Sequence, residues 1–216
     1  MPAVNSLREL LIEELRDIYD AEKRLTKALP KISKASSHDE LKSAIDAHLE
    51  ETREHVTRLE HAFEALDTPA RAKTCAAMKG LIEEGDEHAG EDYADEGLKD
   101  AAIIGSAQRV EHYEIAAYGT AIAHAKLLEL DDVVALLEST LEEEKAADSK
   151  LTEIAESVVN LDASAGDSND DRSVAQDRRA VCHRGADPRP AARPALRNTS
   201  AAGKATIGQS GIVAAR

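Results

Sequence analysis

Apolar residues recur along much of this chain at steps of three and four, the spacing that places side chains on one face of an α-helix. The pattern predicts five helices, four of them long and the third one short. They cover residues 5–29, 38–66, 72–88, 98–128 and about 132–160. We therefore predict an all-α fold in which the four long helices form an antiparallel bundle and the short helix crosses between its ends.

Each long helix interrupts its apolar stripe with polar residues near the middle. In residues 107–119 two glutamates share the face that Ile104 and Ile122 mark as apolar. A buried carboxylate without a partner is costly, so it needs a proton, a cation or a metal ion. The interruptions are Glu22 in the first helix, His48, Glu51 and His55 in the second, Glu111 and Glu114 in the fourth, and Glu144 and Asp148 in the fifth.

The midpoints of antiparallel helices of similar length meet at one level of a bundle, so these groups are expected to converge. Carboxylates and imidazoles gathered in a core repel one another without cations, and two divalent iron or manganese ions suit such ligands. Each residue alone also has an ordinary interpretation. Glu22 could reach water at the core boundary, the two histidines could be hydrogen-bonded helix residues, and residues 142–144 resemble a solvated acidic run.

The charge distribution limits the possible partners. The formal net charge is −15, and the first 160 residues have a net charge of −18 from 36 acidic and 18 basic residues. So acidic a surface repels phosphate backbones, which argues against nucleic-acid binding. The same surface could attract cations or could simply keep the protein soluble.

From Leu161 onward the helical periodicity is lost. Residues 161–216 are rich in Ala, Arg, Pro, Gly and Ser, a composition that predicts a disordered tail after a bundle domain at 1–160. Cys75 and Cys182 form no disulfide framework, which fits a reducing compartment. With no signal peptide and no apolar stretch of membrane-spanning length, we predict a cytoplasmic protein without membrane contact.

Five motifs resemble the YciE/YciF-type bacterial stress proteins, a branch of the ferritin-like superfamily. The similarity covers about residues 5–160, and the Glu-His-Tyr-Glu stretch at 111–114 is its most specific part. The resemblance implies a ferritin-like four-helix bundle, a homodimer, a dinuclear metal site and a role in stress responses. The motifs lie at Leu15–Lys23, His48–Thr52, Met78–Glu84, Val110–Gly119 and Leu141–Asp148.

The resemblance also implies site residues. Glu111 and Glu144 are 33 residues apart, as the glutamates of the third and fourth bundle helices are in ferritin-like proteins, and Tyr118 follows Glu111 by seven. In the second helix, His48, Glu51, Glu54 and His55 all remain possible ligands. No Glu-x-x-His pair is present, which departs from ferroxidase sites. The predicted metal ligands are Glu22, Glu51, His55, Glu111, Glu114 and Glu144.

Two functions are compatible with these residues. In the first, a pair of iron or manganese ions reacts with oxygen or peroxide, and Tyr113 or Tyr118 tunes that chemistry. In the second, the site has lapsed and the protein is a non-catalytic structural or interaction protein that acts as a homodimer.

Overall fold

The structure is a computed structural model of the chain, and it describes residues 4–165. Within that range all regular elements are helical, so the predicted all-α fold is confirmed. No helix in that range is both long enough and apolar enough to cross a membrane. The helices are α1 (Leu7–Ala35), α2 (Asp39–Ala65), α3 (Ala76–Gly90), α4 (Glu96–Leu127) and α5 (Asp131–Ile154), followed by a π-helical segment at Ala155–Val159.

Helices α1, α2, α4 and α5 form the predicted antiparallel four-helix bundle. Around the bundle, α1 packs against α2, α2 against α5, α5 against α4, and α4 against α1. Contacts between α1 and α4 show their antiparallel order, because Glu14 meets His124 and Ser37 meets Asp100. Helix α3 lies against α1 and α4 and makes the crossover between α2 and α4.

Two parts of the apolar core lie at different levels along the bundle, and a third cluster packs α3 against α1 and α4. One part contains Leu15, Leu59, Ile122 and Leu137 among its buried residues. The buried residues of the other part include Leu41, Ile45, Ile103, Leu151 and Ile154. In α2, α4 and α5 the polar interruptions fall between the residues of the two parts, and Glu22 of α1 follows the first part directly. The polar level is therefore closed by apolar packing from both ends of the bundle.

Helix α1 continues to Ala35, six residues beyond the predicted end at Leu29. Pro30 lies inside the helix. It removes one backbone N–H donor, but the helix continues past it. Helix α2 begins at Asp39, one residue after the predicted start, and has no side-chain cap from its own end. Instead the buried carboxylate of Asp100 in α4 accepts hydrogen bonds from the backbone N–H groups of Ser37 and His38, at 2.9 and 2.7 Å.

Helix α3 is displaced along the chain from the predicted range of 72–88. It begins after Cys75, whose Sγ accepts a hydrogen bond from the Met78 N–H. The acidic stretch that begins at Glu83 is helical to Gly90, two residues beyond the predicted end. Gly85 is buried in this stretch, and a Cβ there would lie 3.9 Å from Ile32 and from Ser106, an ordinary van der Waals contact, so the packing does not require a glycine.

The last helix also extends beyond its predicted end at about residue 160. After the π-helical segment, residues 160–165 are helical, so the predicted disorder does not hold for residues 161–165. Residues 160–165 pack on the start of α4, where a Cβ on Gly97 would lie 2.8 Å from the backbone N of Ala163. The rest of the predicted tail, 166–216, lies outside the described residues, and the domain boundary near 160 stays a prediction.

Candidate metal centre

Six polar side chains from four helices meet between the two apolar parts of the core. All are at most 7% exposed. They form two groups, and within each group one ligand atom from every residue lies within 4.8 Å of the others. We call them the His48 group and the His55 group. The His48 group contains His48, Glu111, Glu114 and Glu144, and the His55 group contains Glu22, His55 and Glu144.

Glu144 lies between the two histidines of α2. Its Oε1 is 3.0 Å from Nδ1 of His55, and its Oε2 is 3.6 Å from Nε2 of His48. Glu22 Oε1 is 3.5 Å from the same nitrogen of His55, while Glu111 Oε1 is 3.5 Å from the same nitrogen of His48. Glu144 therefore belongs to both groups and would be available as a ligand in each.

Each histidine directs its other ring nitrogen to a carboxylate outside the two groups. Nδ1 of His48 lies 3.2 Å from Glu51 Oε2, and Nε2 of His55 lies 2.8 Å from Glu143 Oε2. Arg58 holds Glu143 in place, with its Nη2 donating to Oε1 at 2.9 Å. Histidines that bind metals usually have such an outer partner, which fixes the tautomer and directs the other nitrogen to the ion.

The inner atoms lack partners. Seven buried atoms of these residues make no hydrogen bond within the described part of the chain: Glu22 Oε2, His55 Nδ1, Glu111 Oε2, and both carboxylate oxygens of Glu114 and Glu144. His55 Nδ1 and Glu144 Oε1 lie within ion-pair distance, but the contact lacks hydrogen-bond geometry. Buried polar atoms are rarely left this way. Four ionised carboxylates would be balanced by two divalent cations, and oxygen and imidazole ligands suit iron or manganese. The residues present therefore fit a dinuclear metal site.

The acid–base properties show the same need for positive charge. Burial, together with the neighbouring carboxylates, raises the pKa of Glu111 and of Glu114 well above the ordinary value. Burial alone would lower the pKa of the histidines, but the surrounding glutamates raise it to about 9 for His48 and about 10 for His55. Burial acts to raise the pKa of Glu144, but the two histidines outweigh burial, and the pKa lies below its ordinary value. In the metal-free protein, protons supply the charge that cations would otherwise provide.

Only one of the two candidate tyrosines reaches the centre. Tyr118 is fully buried, and its hydroxyl donates a hydrogen bond to Glu22 Oε1. The hydroxyl of Tyr113 donates to Asp17 Oδ2 at 2.7 Å and lies 3.0 Å from Sγ of Cys75. Tyr118 can therefore position a ligand directly, whereas the Tyr113 hydroxyl is bound elsewhere.

The structure brings together all but one of the predicted ligands, since Glu22, His55, Glu111, Glu114 and Glu144 lie in the two groups. Glu51 lies in neither group, because its side chain is 45% exposed and bonds His48 from outside. The buried polar residues of α2 are His48, Thr52 and His55. Glu51 precedes Thr52 by one position and therefore points away from this inner face. His48 takes the place that the sequence had left open in α2.

Two further expectations about the polar positions are resolved by the packing, and two residues that the sequence did not indicate are added. Glu54 is exposed and lies in neither group. Asp148 accepts a hydrogen bond from Gln108 instead of facing the other glutamates. Glu143 and Arg58 were not predicted to contribute, because an acidic run such as residues 142–144 is usually solvated. Their proximity depends on the contact between α2 and α5, for which the sequence offered no signal.

Comparisons with known proteins identify close relatives. Residues 6–164 match the family described as "Domain of unknown function (DUF892)". Protein YciF of Escherichia coli (strain K12) is 43% identical over 161 residues, which cover 74% of this chain and 96% of YciF. The crystal structure of the E. coli stress protein YciF matches with a TM-score of 0.70 and covers 73% of this chain and 99% of its own.

Two other solved structures share the fold. YcfI from Rhodopseudomonas palustris, a suspected structural protein by its description, is 47% identical with a TM-score of 0.67, and the match covers 69% of this chain and 94% of YcfI. A protein from Xanthomonas campestris pv. campestris is 22% identical with a TM-score of 0.59, over 76% of this chain and 99% of that chain, and it supports the fold alone. The matched helical domain and its similarity to YciF show that this chain belongs to the DUF892 family.

Proposed function

We propose that this protein binds two divalent metal ions, iron or manganese, at the centre of its bundle. Glu22 and His55 would hold one ion, His48, Glu111 and Glu114 would hold the other, and Glu144 would bridge them. When bound, such a pair supplies redox chemistry toward oxygen or peroxide. By its similarity to the E. coli stress protein YciF, we extend a stress-related role to this chain as part of the same proposal.

The main support is the set of buried ligand atoms that lack hydrogen bonds. The remaining residues of the chain prepare these atoms for a cation. Glu51 and Glu143 orient the imidazoles from outside, and Tyr118 holds one oxygen of Glu22. The apolar parts on both sides of the polar level reduce water access, which strengthens electrostatic interactions inside.

The proposal is tested by metal uptake. Protein freed of metal with a chelator should take up two equivalents of iron(II) or manganese(II) per chain, measured by elemental analysis after gel filtration. Glu111→Gln/Glu144→Gln should remove uptake from the His48 group and weaken it at the His55 group. The matched control Glu64→Gln/Glu142→Gln changes two glutamates that lie outside both groups and should bind metal as the unchanged protein does. The absence of uptake by the unchanged protein would refute the proposal.

A second function is favoured by one observation, the description of YcfI as a suspected structural protein. Under this alternative the carboxylates only repel one another, no metal is taken up, and the bundle acts through its surface as a homodimer. Glu111→Gln/Glu144→Gln would then raise stability and leave the function unchanged, because amides remove the repulsion at similar volume. Under the metal proposal the same variant loses the stabilisation that added metal gives.

We also propose that the protein is a cytoplasmic homodimer that binds no nucleic acid. The acidic charge of the first 160 residues supports the last point. Light scattering over a range of protein concentrations should give twice the mass of the chain, and a constant monomer mass would contradict the dimer.

A further inference from the structure

A cavity of about 580 Å³ opens beside the His48 group, among α1, α2, α4 and α5. Its walls are aliphatic, with leucine and isoleucine side chains and five alanines from three helices. At its inner end it is lined by His48 and Glu111, two members of the His48 group. The alanines are Ala44, Ala47, Ala107, Ala146 and Ala147.

Glu111, at the inner end of the cavity, has one unsatisfied polar atom. Glu111 is 3% exposed, and its Oε2 has no hydrogen-bond partner among the described residues. His48 is 7% exposed beside it. An apolar cavity that ends at a few convergent polar groups is the usual form of a small-molecule site.

The outer end of the cavity is acidic. Asp39 and Glu40 line it together with Ser43 and a basic residue, Lys150, all of them exposed. The carboxylates disfavour an anionic ligand, and the aliphatic walls disfavour a charged group of either sign because it would lose its hydration. The lining therefore selects an uncharged molecule.

The cavity is much larger than dioxygen or hydrogen peroxide needs. A water molecule takes about 30 Å³ of liquid volume, and dioxygen or hydrogen peroxide is of similar size. Cavities that bind organic ligands measure roughly 300–1,000 Å³. The 580 Å³ beside His48 falls within that range.

One departure from the usual di-iron sequence pattern accounts for part of this space. Ala147 follows Glu144 by three residues, the position at which a Glu-x-x-His pair would have its histidine. In this chain His48 of α2 supplies the imidazole, and the small side chain of Ala147 lines the cavity.

We propose that the cavity binds an uncharged organic molecule with an apolar body and one oxygen-bearing end, the class that includes organic hydroperoxides. The body lies against the alanines, and the oxygen end lies at His48 and Glu111. This inference rests on the proposed metal function for the reaction of such a ligand, but binding to the cavity can be measured without metal.

The test uses 2-phenyl-2-propanol, the alcohol that corresponds to cumene hydroperoxide, because it binds without reacting. Methyl NMR of alanine-labelled, full-length protein should show saturable shifts at Ala44, Ala107 and Ala147. Benzoate, an anion of similar size, should give no saturable shifts at the same concentrations. Ala147→Leu should weaken alcohol binding by about tenfold or more, as steric changes in hydrophobic pockets do.

Two further variants guard against misfolding and nonspecific effects. Ala44→Leu fills the cavity from α2 and should weaken binding as Ala147→Leu does. Ala135→Leu adds the same side chain at an exposed position of α5 outside the cavity and should leave binding unchanged.

Several results would overturn the inference: no saturable shifts, benzoate binding as tightly as the alcohol, or full binding by both cavity variants. The inference would also fail if the cavity variants bound the alcohol normally but changed their oligomeric mass. The opening of the cavity would then be covered by a second copy of the chain. Metal uptake is measured on the same samples. Uptake without alcohol binding refutes this inference alone, and alcohol binding without uptake refutes the proposed metal function alone.

Discussion

At the scale of single residues, Glu144 connects the two halves of the candidate centre. It is fully buried, and its two oxygens face different histidines. The sequence places it within an acidic run, where its neighbour Glu143 reaches His55 from the opposite side. One turn of α5 thus provides both an inner carboxylate and an outer one, because adjacent residues of a helix point about 100° apart.

Glu51 is predicted to orient His48 from outside the centre. Glu51→Ala should lower metal affinity of the His48 group by about 10-fold to 100-fold, the usual cost of losing an outer partner of a metal-binding histidine. Chelator-competition titration measures this affinity. Glu54→Ala, at an exposed position one turn away, is the control and should have no effect. Complete loss of one metal equivalent in Glu51→Ala would instead show that Glu51 is a ligand.

Tyr118 is predicted to stabilise Glu22 in the metal-free protein. Tyr118→Phe removes a hydrogen bond to a buried carboxylate oxygen, and the free energy of unfolding should fall by about 1–3 kcal/mol. Tyr93→Phe removes a partly exposed hydroxyl bonded to Glu91 and should change stability by less than about 0.5 kcal/mol. Urea denaturation of both variants gives the comparison, and equal effects would contradict a special role for Tyr118.

At the scale of helices, local signals located the elements but not all of their ends. The sequence predicted the α4 and α5 starts within about two residues, since local turn signals mark helix starts. It placed the start of α2 within one residue, but it did not reveal the stabilising carboxylate of Asp100, which comes from another helix. The larger errors were the end of α1, which continues past Pro30 to Ala35, and the start of α3, which lies four residues after the predicted one.

The contact between α4 and residues 160–165 is predicted to require a glycine. Gly97→Ala would place a Cβ 2.8 Å from the backbone N of Ala163, and overpacking of this kind costs about 1–3 kcal/mol. Gly119→Ala is the matched control in the same helix, with no atom within 4 Å of its new Cβ. It should raise stability by about 0.5–1 kcal/mol. Thermal unfolding of the two variants should shift in opposite directions, and a stabilising Gly97→Ala would contradict the contact.

At the scale of the whole molecule, the buried carboxylates determine how stability depends on pH. In the folded, metal-free chain the pKa is about 9 for His48 and about 10 for His55, against an ordinary value of 6.5. Above pH 6.5 the folded state therefore binds more protons than the unfolded state, and stability must fall as pH rises. The raised pKa of Glu111 and Glu114 acts in the same direction.

We therefore predict that the metal-free protein loses stability between pH 6.5 and pH 9, by about 1 kcal/mol per pH unit for each retained proton. Stabilisation by added manganese should change in the opposite direction, because protons and metal ions compete for the same ligands. Denaturant unfolding at several pH values, with and without manganese, checks both trends. A pH-independent effect of manganese would indicate that it binds elsewhere.

The sequence by itself determined the helical fold and five residues that the structure brings together, because helix period and core polarity are local properties of the chain. Only the tertiary structure decided the rest: that His48 faces inward while Glu51 does not, and that Glu143 and Arg58 support His55. It also decided that a cavity adjoins the centre. These features depend on how each helix is rotated against its neighbours, and packing of the whole bundle sets that rotation.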